Sequence, residues 1–144
     1  MPTIGFQFIT KNIKVNNKII KVQIWDCSGD EVYKDLIRQF YKNTKAFLIL
    51  YDYNDRNSFE KAKFYIHDVE MNQKDKLSFL IRIRYELKSK ENNDFVSDEE
   101  ALEFAYEKDA YFFHISIFEK YETGIYELFK LLIEKLIYDY NKHL

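Results

Sequence analysis

The chain has 144 residues, 47% hydrophobic and 18% aromatic, enough for one domain with a real core. Its net charge of −2, with 32% charged residues, leaves no broad basic field for nucleic acid. A lone cysteine, Cys27, excludes an intrachain disulfide framework and fits a reducing compartment, and no apolar run reaches the ~20 residues that cross a bilayer.

Residues Ile4 to Val15 are rich in β-branched and aromatic types, so they read as a strand. Asn16-Asn17 then supplies two residues tolerant of positive φ, which suits a tight hairpin turn. The return strand runs from Ile19 to Trp25, with Ile20, Val22 and Ile24 on one face. Cys27-Ser28-Gly29-Asp30 breaks it with small, turn-forming residues. Helical spacing of Leu36, Ile37, Phe40 and Tyr41 predicts a helix over Glu31 to Lys42.

Ala46 to Tyr51 is a continuous apolar run, expected of a strand buried on both faces. Asn57-Ser58 is expected to cap a helix reaching about Met71. Leu77 to Ile83 is another apolar strand, followed by a polar loop over Lys88 to Asp94. Ser97 with Glu100 forms a capping box for a helix through Lys108. Tyr111 to Ile117 is a further strand. From Thr123, Ile125, Leu128, Phe129, Leu132, Ile133, Leu136 and Ile137 recur with the period of an amphipathic helix. Strands alternating with helices predict an α/β fold with a mostly parallel sheet and no second domain.

Three blocks near the start carry a resemblance: PTIGFQF, KVQIWDCSGDE and FYKNTKAFLILYDYNDRNSFE. In this order and spacing, the run from Pro2 to Glu60 resembles the switch region of Rab-type small GTPases. The likeness extends to the last helix. It implies a three-layer, P-loop NTPase-like G domain, spanning residues 1–144, that lacks the first strand, phosphate loop and first helix. It also implies GTP/GDP and Mg²⁺ as ligands, effector or regulatory proteins of membrane traffic as partners, and a place in the cytoplasm or peripheral on endomembranes.

Pro2-Thr3-Ile4-Gly5 is similar to the first switch, which gives Thr3 a magnesium-coordinating role by resemblance. Asp26-Cys27-Ser28-Gly29 is similar to the DTAG element. There the aspartate holds a magnesium-bound water and the glycine N–H meets the γ-phosphate, so Asp26 and Gly29 inherit those roles. The glutamine that orients the attacking water is replaced by Asp30. A short anion there repels the phosphate, so weak hydrolysis is expected. The base-reading Gly-Asn-Lys-x-Asp aligns with Arg82-Ile83-Arg84-Tyr85-Glu86, and Ser-Ala-Lys with Ser116-Ile117-Phe118. Ile83 cannot make the asparagine's hydrogen bonds, while Glu86 keeps the carboxylate type on a longer arm, so weakened guanine recognition is expected, with a non-enzymatic effector-binding module as the alternative.

The sequence opens downstream of the family's glycine-rich phosphate loop, and holds only Gly5, Gly29 and Gly124. In the family, the strand feeding that loop lies between the strands aligned with Ile19–Trp25 and Ala46–Tyr51. Each buried backbone group left unpaired there would cost roughly 1–3 kcal/mol. Three outcomes stay open: an incomplete gene model or fragment, a sheet closed by pairing the two edges, or a partner strand in the gap.

Phe8, Trp25 and Phe40 align with the aromatic triad that Rab effectors read, with Ile4 beside it; the competing reading is core filling. Cys27 reads as a small filler rather than a reactive thiol. His67, His114 and His143 lack metal spacing: His114 is expected in the core or at an edge, the others in solvent. Asp52, Asp55 and Asp68 are read as caps and surface, and Asp98-Glu99-Glu100 as a favourable first helical turn. The chain ends at Asn141-Lys142-His143-Leu144 without a prenylation cysteine, so anchoring by that route is not expected.

Overall fold

Strand β1 (Phe6–Val15) pairs antiparallel with β2 (Lys18–Cys27) from Phe6↔Cys27 to Val15↔Lys18 in a computed structural model, which describes residues 4–15, 17–84, 94–118 and 121–142. The register leaves a two-residue turn, and Asn17 sits in it at φ 62°, a conformation asparagine tolerates well. Asn16 lies outside the described residues. The two-residue period puts Ile9, Ile13, Val15, Ile20, Val22 and Ile24 on one face and Phe6, Phe8 and Trp25 on the other. Cross-strand pairs such as Ile13↔Ile20 contribute about 0.2–1 kcal/mol each.

The helix predicted over Glu31 to Lys42 is broken in three. A 3₁₀ turn at Glu31–Tyr33 leads into the five-residue α1 (Lys34–Arg38), and a second 3₁₀ turn covers Tyr41–Asn43. The cause is visible in the backbone: Gln39 N–H donates to Leu36 and Phe40 N–H to Ile37, both three residues back. A segment this short does not gain enough ladder bonds to offset helix nucleation.

The described residues divide into two compact units, 1–42 and 43–144. In the second, β3 (Ala46–Asp52), β4 (Leu77–Arg84) and β5 (Tyr111–Phe118) are parallel, in the order β3-β4-β5, with β6 (Tyr121–Thr123) antiparallel to β5. Helices α2 (Arg56–Asn72) and α3 (Asp98–Glu107) connect the parallel strands, and α4 (Ile125–Lys142) ends the chain. β4 explains the layering. Its Leu80 packs with Phe59, Ala62 and Ile66 of α2 and with Ala101 and Ala105 of α3. Its Phe79, Ile81 and Ile83 pack on the other side with Leu128 and Leu132 of α4. A central strand covered on both faces reads as an unbroken apolar run. The three-layer α/β architecture with a mostly parallel sheet is therefore the one the sequence predicts.

β3 departs from expectation. It was expected to be covered on both faces, yet only Tyr51 is buried and Leu50 is 50% exposed. β3 stands at the end of the strand order; among the described residues its one strand neighbour is β4. The short strand β6 is absent from the sequence reading. The α2 cap also shifts: Asp55, not Asn57 or Ser58, accepts from the N–H of Ser58. Asp68, expected on the surface, is buried.

Helix α4 starts two residues later than predicted because Gly124, at φ +93°, makes the corner. A Cβ at this position would stand 2.6 Å from the carbonyl oxygen of His114, so only glycine lets the two backbones approach.

Candidate functional site

Two regions carry the residues singled out by sequence. In the first unit, the end of β2 runs into a tight turn. Ser28 N–H donates to the Gly5 carbonyl at 2.8 Å, and Ser28 is buried. Its Oγ accepts from Asp30 N–H at 3.2 Å, and the Asp30 carboxylate accepts from Val32 N–H at 3.1 Å. Asp30 is thus the N-cap of the 3₁₀ turn. Gly29 is exposed, with no heavy atom within 4 Å of where a Cβ would be. Asp26 projects to the face opposite Trp25 by the strand period. Thr3 lies outside the described residues.

Cys27 is half-buried and its Sγ donates to the Trp25 carbonyl at 3.8 Å. Burial first, and the Asp26 carboxylate second, push its thiol up, which suits a filler rather than a nucleophile.

Phe8, Trp25 and Phe40 come together. Trp25 stacks on Phe40 at 4.5 Å with an interplanar angle of 27°, and meets Phe8 at 4.5 Å. Phe6 joins them, 4.9 Å from Phe40 and 5.6 Å from Trp25. Phe8 is 46% and Trp25 39% exposed, so the cluster is a surface rather than a sealed core. Ile4 is exposed as well. Sequence reasoning missed Phe6; its place two residues before Phe8, on the same face of β1, was the available signal.

The second region is the C-terminal end of β4 and β5. Ile83 is buried and packs in the cluster facing α4. Arg82 and Arg84 point to the other face by alternation. The Arg82 guanidinium lies 5.2 Å from the centroid of the Tyr53 ring and 5.8 Å from that of Phe112, and forms an ion pair with Asp98. That of Arg84 lies 5.4 Å from the Tyr53 ring. His114 and Ser116 are the β5 partners of Arg82 and Arg84. His114 is exposed at this rim, and its Nε2 is 3.0 Å from Ser116 Oγ. Burial first, then the two guanidiniums, holds its imidazole below the usual range. Tyr85, Glu86 and the side chain of Phe118 lie outside the described residues.

Ile83, which resemblance aligns with a base-reading asparagine, is an apolar side chain turned into the core, without a donor or acceptor for a guanine base. Among the described residues, no group of three or more His, Cys, Asp or Glu could hold a metal ion. Asp26 and Gly29 remain the residues that resemblance places toward magnesium and phosphate. Asp30 already accepts a backbone hydrogen bond.

Away from both regions, Arg56 grips Glu100 with two bonds of 2.8 and 2.7 Å. The Glu100 carboxylate therefore serves Arg56, while the Ser97 half of the predicted capping box is formed, with Glu100 N–H donating to Ser97 Oγ at 3.2 Å. Asp52 accepts from Asn54 N–H and Asp55 caps α2, as the sequence predicts for turn and cap carboxylates. His67 is solvated, 3.6 Å from Glu70. His143 lies outside the described residues. No helix among those described is long and apolar enough to cross a membrane.

Comparison with known proteins matches residues 1–138 to the Ras family. The Ras-related protein Rab-2B of Dictyostelium discoideum is 33% identical over 136 residues, covering 94% of this chain and 65% of that protein. A probable Rab-related GTPase of Acanthamoeba polyphaga mimivirus is 30% identical over 136 residues, covering 94% and 62%. The Ras-related protein Rab-11B of Dictyostelium discoideum is 43% identical over 63 residues, covering 44% and 29%. The chain thus spans less than two thirds of the length of these relatives. With its three-layer α/β fold and the match over residues 1–138, the chain belongs to the Ras family and is similar to Rab-type members of it.

Proposed function

We propose that this Rab-type protein works in vesicle traffic chiefly by docking effector or regulatory proteins on the aromatic face of its hairpin, with GTP bound and hydrolysed weakly. The observation that carries this reading is the half-exposed cluster of Phe6, Phe8, Trp25 and Phe40. Partly exposed, mutually stacked aromatics are the residues that dominate protein interfaces, because they desolvate a large area with few rotatable bonds. Edge and stacked pairs hold the rings in place before a partner arrives, which lowers the ordering entropy of binding.

Two observations support weak nucleotide chemistry. Asp30 stands where a water-orienting glutamine would be, and its carboxylate is engaged as a helix cap. Ile83 stands where an asparagine would read guanine, and is buried. Membrane association, where it occurs, is peripheral in this reading.

The test is binding of the purified chain to effector domains that recognise other Rab proteins, measured by surface plasmon resonance. Phe8→Ala and Trp25→Ala should each lower affinity at least ten-fold, about 1.4 kcal/mol, with an unchanged far-UV circular dichroism spectrum. Lys61→Gln, on the exposed surface of α2, should not. Unaltered affinity in both aromatic variants would refute the docking face. GTP affinity of micromolar or tighter, with turnover matching that of other Rab proteins, would refute the weak-nucleotide half.

A further inference from the structure

Two arginines side by side on one strand face ask for an acceptor. Arg82 and Arg84 are two apart on β4, so both project from the same face, at the C-terminal rim of the parallel strands. Both guanidiniums lie over one ring, that of Tyr53. Arg82 has Asp98 as counter-ion; among the described residues, Arg84 has no carboxylate within ion-pair distance. Among the described residues, the buried Nε atoms of both arginines have no hydrogen-bond partner. A buried donor left unmade costs about 1–3 kcal/mol, more on a charged group. Two guanidiniums on one strand face, with the Ser116 hydroxyl alongside, are complementary to a multi-oxygen anion.

Open α/β sheets bind ligands outside the carboxyl ends of their strands, which is where this cluster lies. A phosphate suits it better than a carboxylate, because its tetrahedral oxygens can meet donors from two strands at once. We infer that the Arg82–Arg84 rim, with Ser116 and the face of Tyr53, is a binding site for a phosphate group. An inorganic phosphate and the phosphates of a nucleotide present the same chemistry to it, and the arms of the test separate the two. This inference is independent of the aromatic docking face.

The experiment is thermal unfolding of the purified chain in sodium phosphate, against sodium chloride of equal ionic strength, with GDP, ATP and the unphosphorylated nucleosides as further arms. At a Kd of about 1 mM, 20 mM phosphate should raise Tm saturably by about 6 °C. Arg84→Gln should abolish the rise, and Lys21→Gln, on the hairpin, should retain it. A rise with inorganic phosphate assigns the free ion. A rise with GDP and ATP but not phosphate assigns the nucleotide's phosphates, provided Arg84→Gln removes it. No rise in any arm, a rise that survives Arg84→Gln, or an equal rise with nucleosides alone overturns the inference. Should Arg84→Gln fail to fold, Arg84→Lys keeps the charge but loses the fork. Phosphate affinity, read by ³¹P line broadening, should then fall at least ten-fold, and unchanged affinity overturns the site.

Discussion

Replacing Gly124 by alanine puts a Cβ 2.6 Å from the carbonyl oxygen of His114, at a backbone φ of +93°. Two penalties combine. A non-glycine residue in the left-handed region costs roughly 1–2 kcal/mol. The clash is with main chain of β5, which cannot swing aside as a side-chain tip would, and such overpacking costs roughly 1–3 kcal/mol. Against them, alanine narrows the unfolded ensemble and returns about 0.4–1 kcal/mol. The net is a loss of about 2–4 kcal/mol, a large share of a typical stability of ~5–15 kcal/mol. Urea unfolding followed by far-UV circular dichroism measures it, with the slope expected to stay constant while the midpoint falls. A loss under about 1 kcal/mol would refute the argument that the α4 corner is fixed by close backbone approach.

The buried hydroxyl of Tyr51 has no partner among the described residues, and burial raises its phenol to about 12. Tyr51→Phe should therefore leave stability equal or higher by about 1 kcal/mol, and a clear destabilisation in urea would contradict it. Arg56 holds the Glu100 carboxyl below the usual carboxylate range. The stability this pair contributes is present above that range and is lost as pH falls through the lowered folded-state pKa. Wild type and Glu100→Gln should thus differ in Tm at pH 7 and converge as pH falls below the carboxylate range; a constant difference would count against the pair. Cys27, with its thiol pushed up, should alkylate with iodoacetamide more slowly than a free cysteine at pH 8, and Asp26→Asn should speed it. Equal rates in all three would contradict the assignment.

Much of the architecture was legible because burial leaves a periodic trace. Leu128 and Leu132 of α4 mark one helical face, and Phe79 to Ile81 of β4 form an apolar run covered on both sides. Ser97 announced the α3 start through its side-chain oxygen. Other features depend on contacts the local pattern does not encode. The segment from Glu31 to Lys42 has helical spacing, yet its backbone bonds step back three residues at Gln39 and Phe40. Ala46 to Tyr51 looks like a central strand but stands last in its sheet's order, so Leu50 is half exposed. Asp68 is polar and helical, which predicts surface, but tertiary packing buries it.

The candidate residues divide the same way. Phe8, Trp25 and Phe40 were recognisable from the resemblance to the family's aromatic triad, and period two would have added Phe6. That Asp30 caps a turn depends on its carboxylate meeting Val32 N–H, which spacing alone does not reveal. Arg82 and Arg84 looked like replacements for base-reading residues; their shared place over Tyr53 emerges only when β4 is set against its neighbours.

Trp25 is the single tryptophan of the chain and sits at the centre of the aromatic cluster, so its fluorescence reports directly on the proposed docking face. The decisive measurement is a titration with a tryptophan-free effector domain, following emission wavelength and acrylamide quenching. The account predicts a blue shift and reduced quenching that saturate with complex formation, as the indole passes from half-exposed to buried. A complex that forms with emission and quenching unchanged would contradict it.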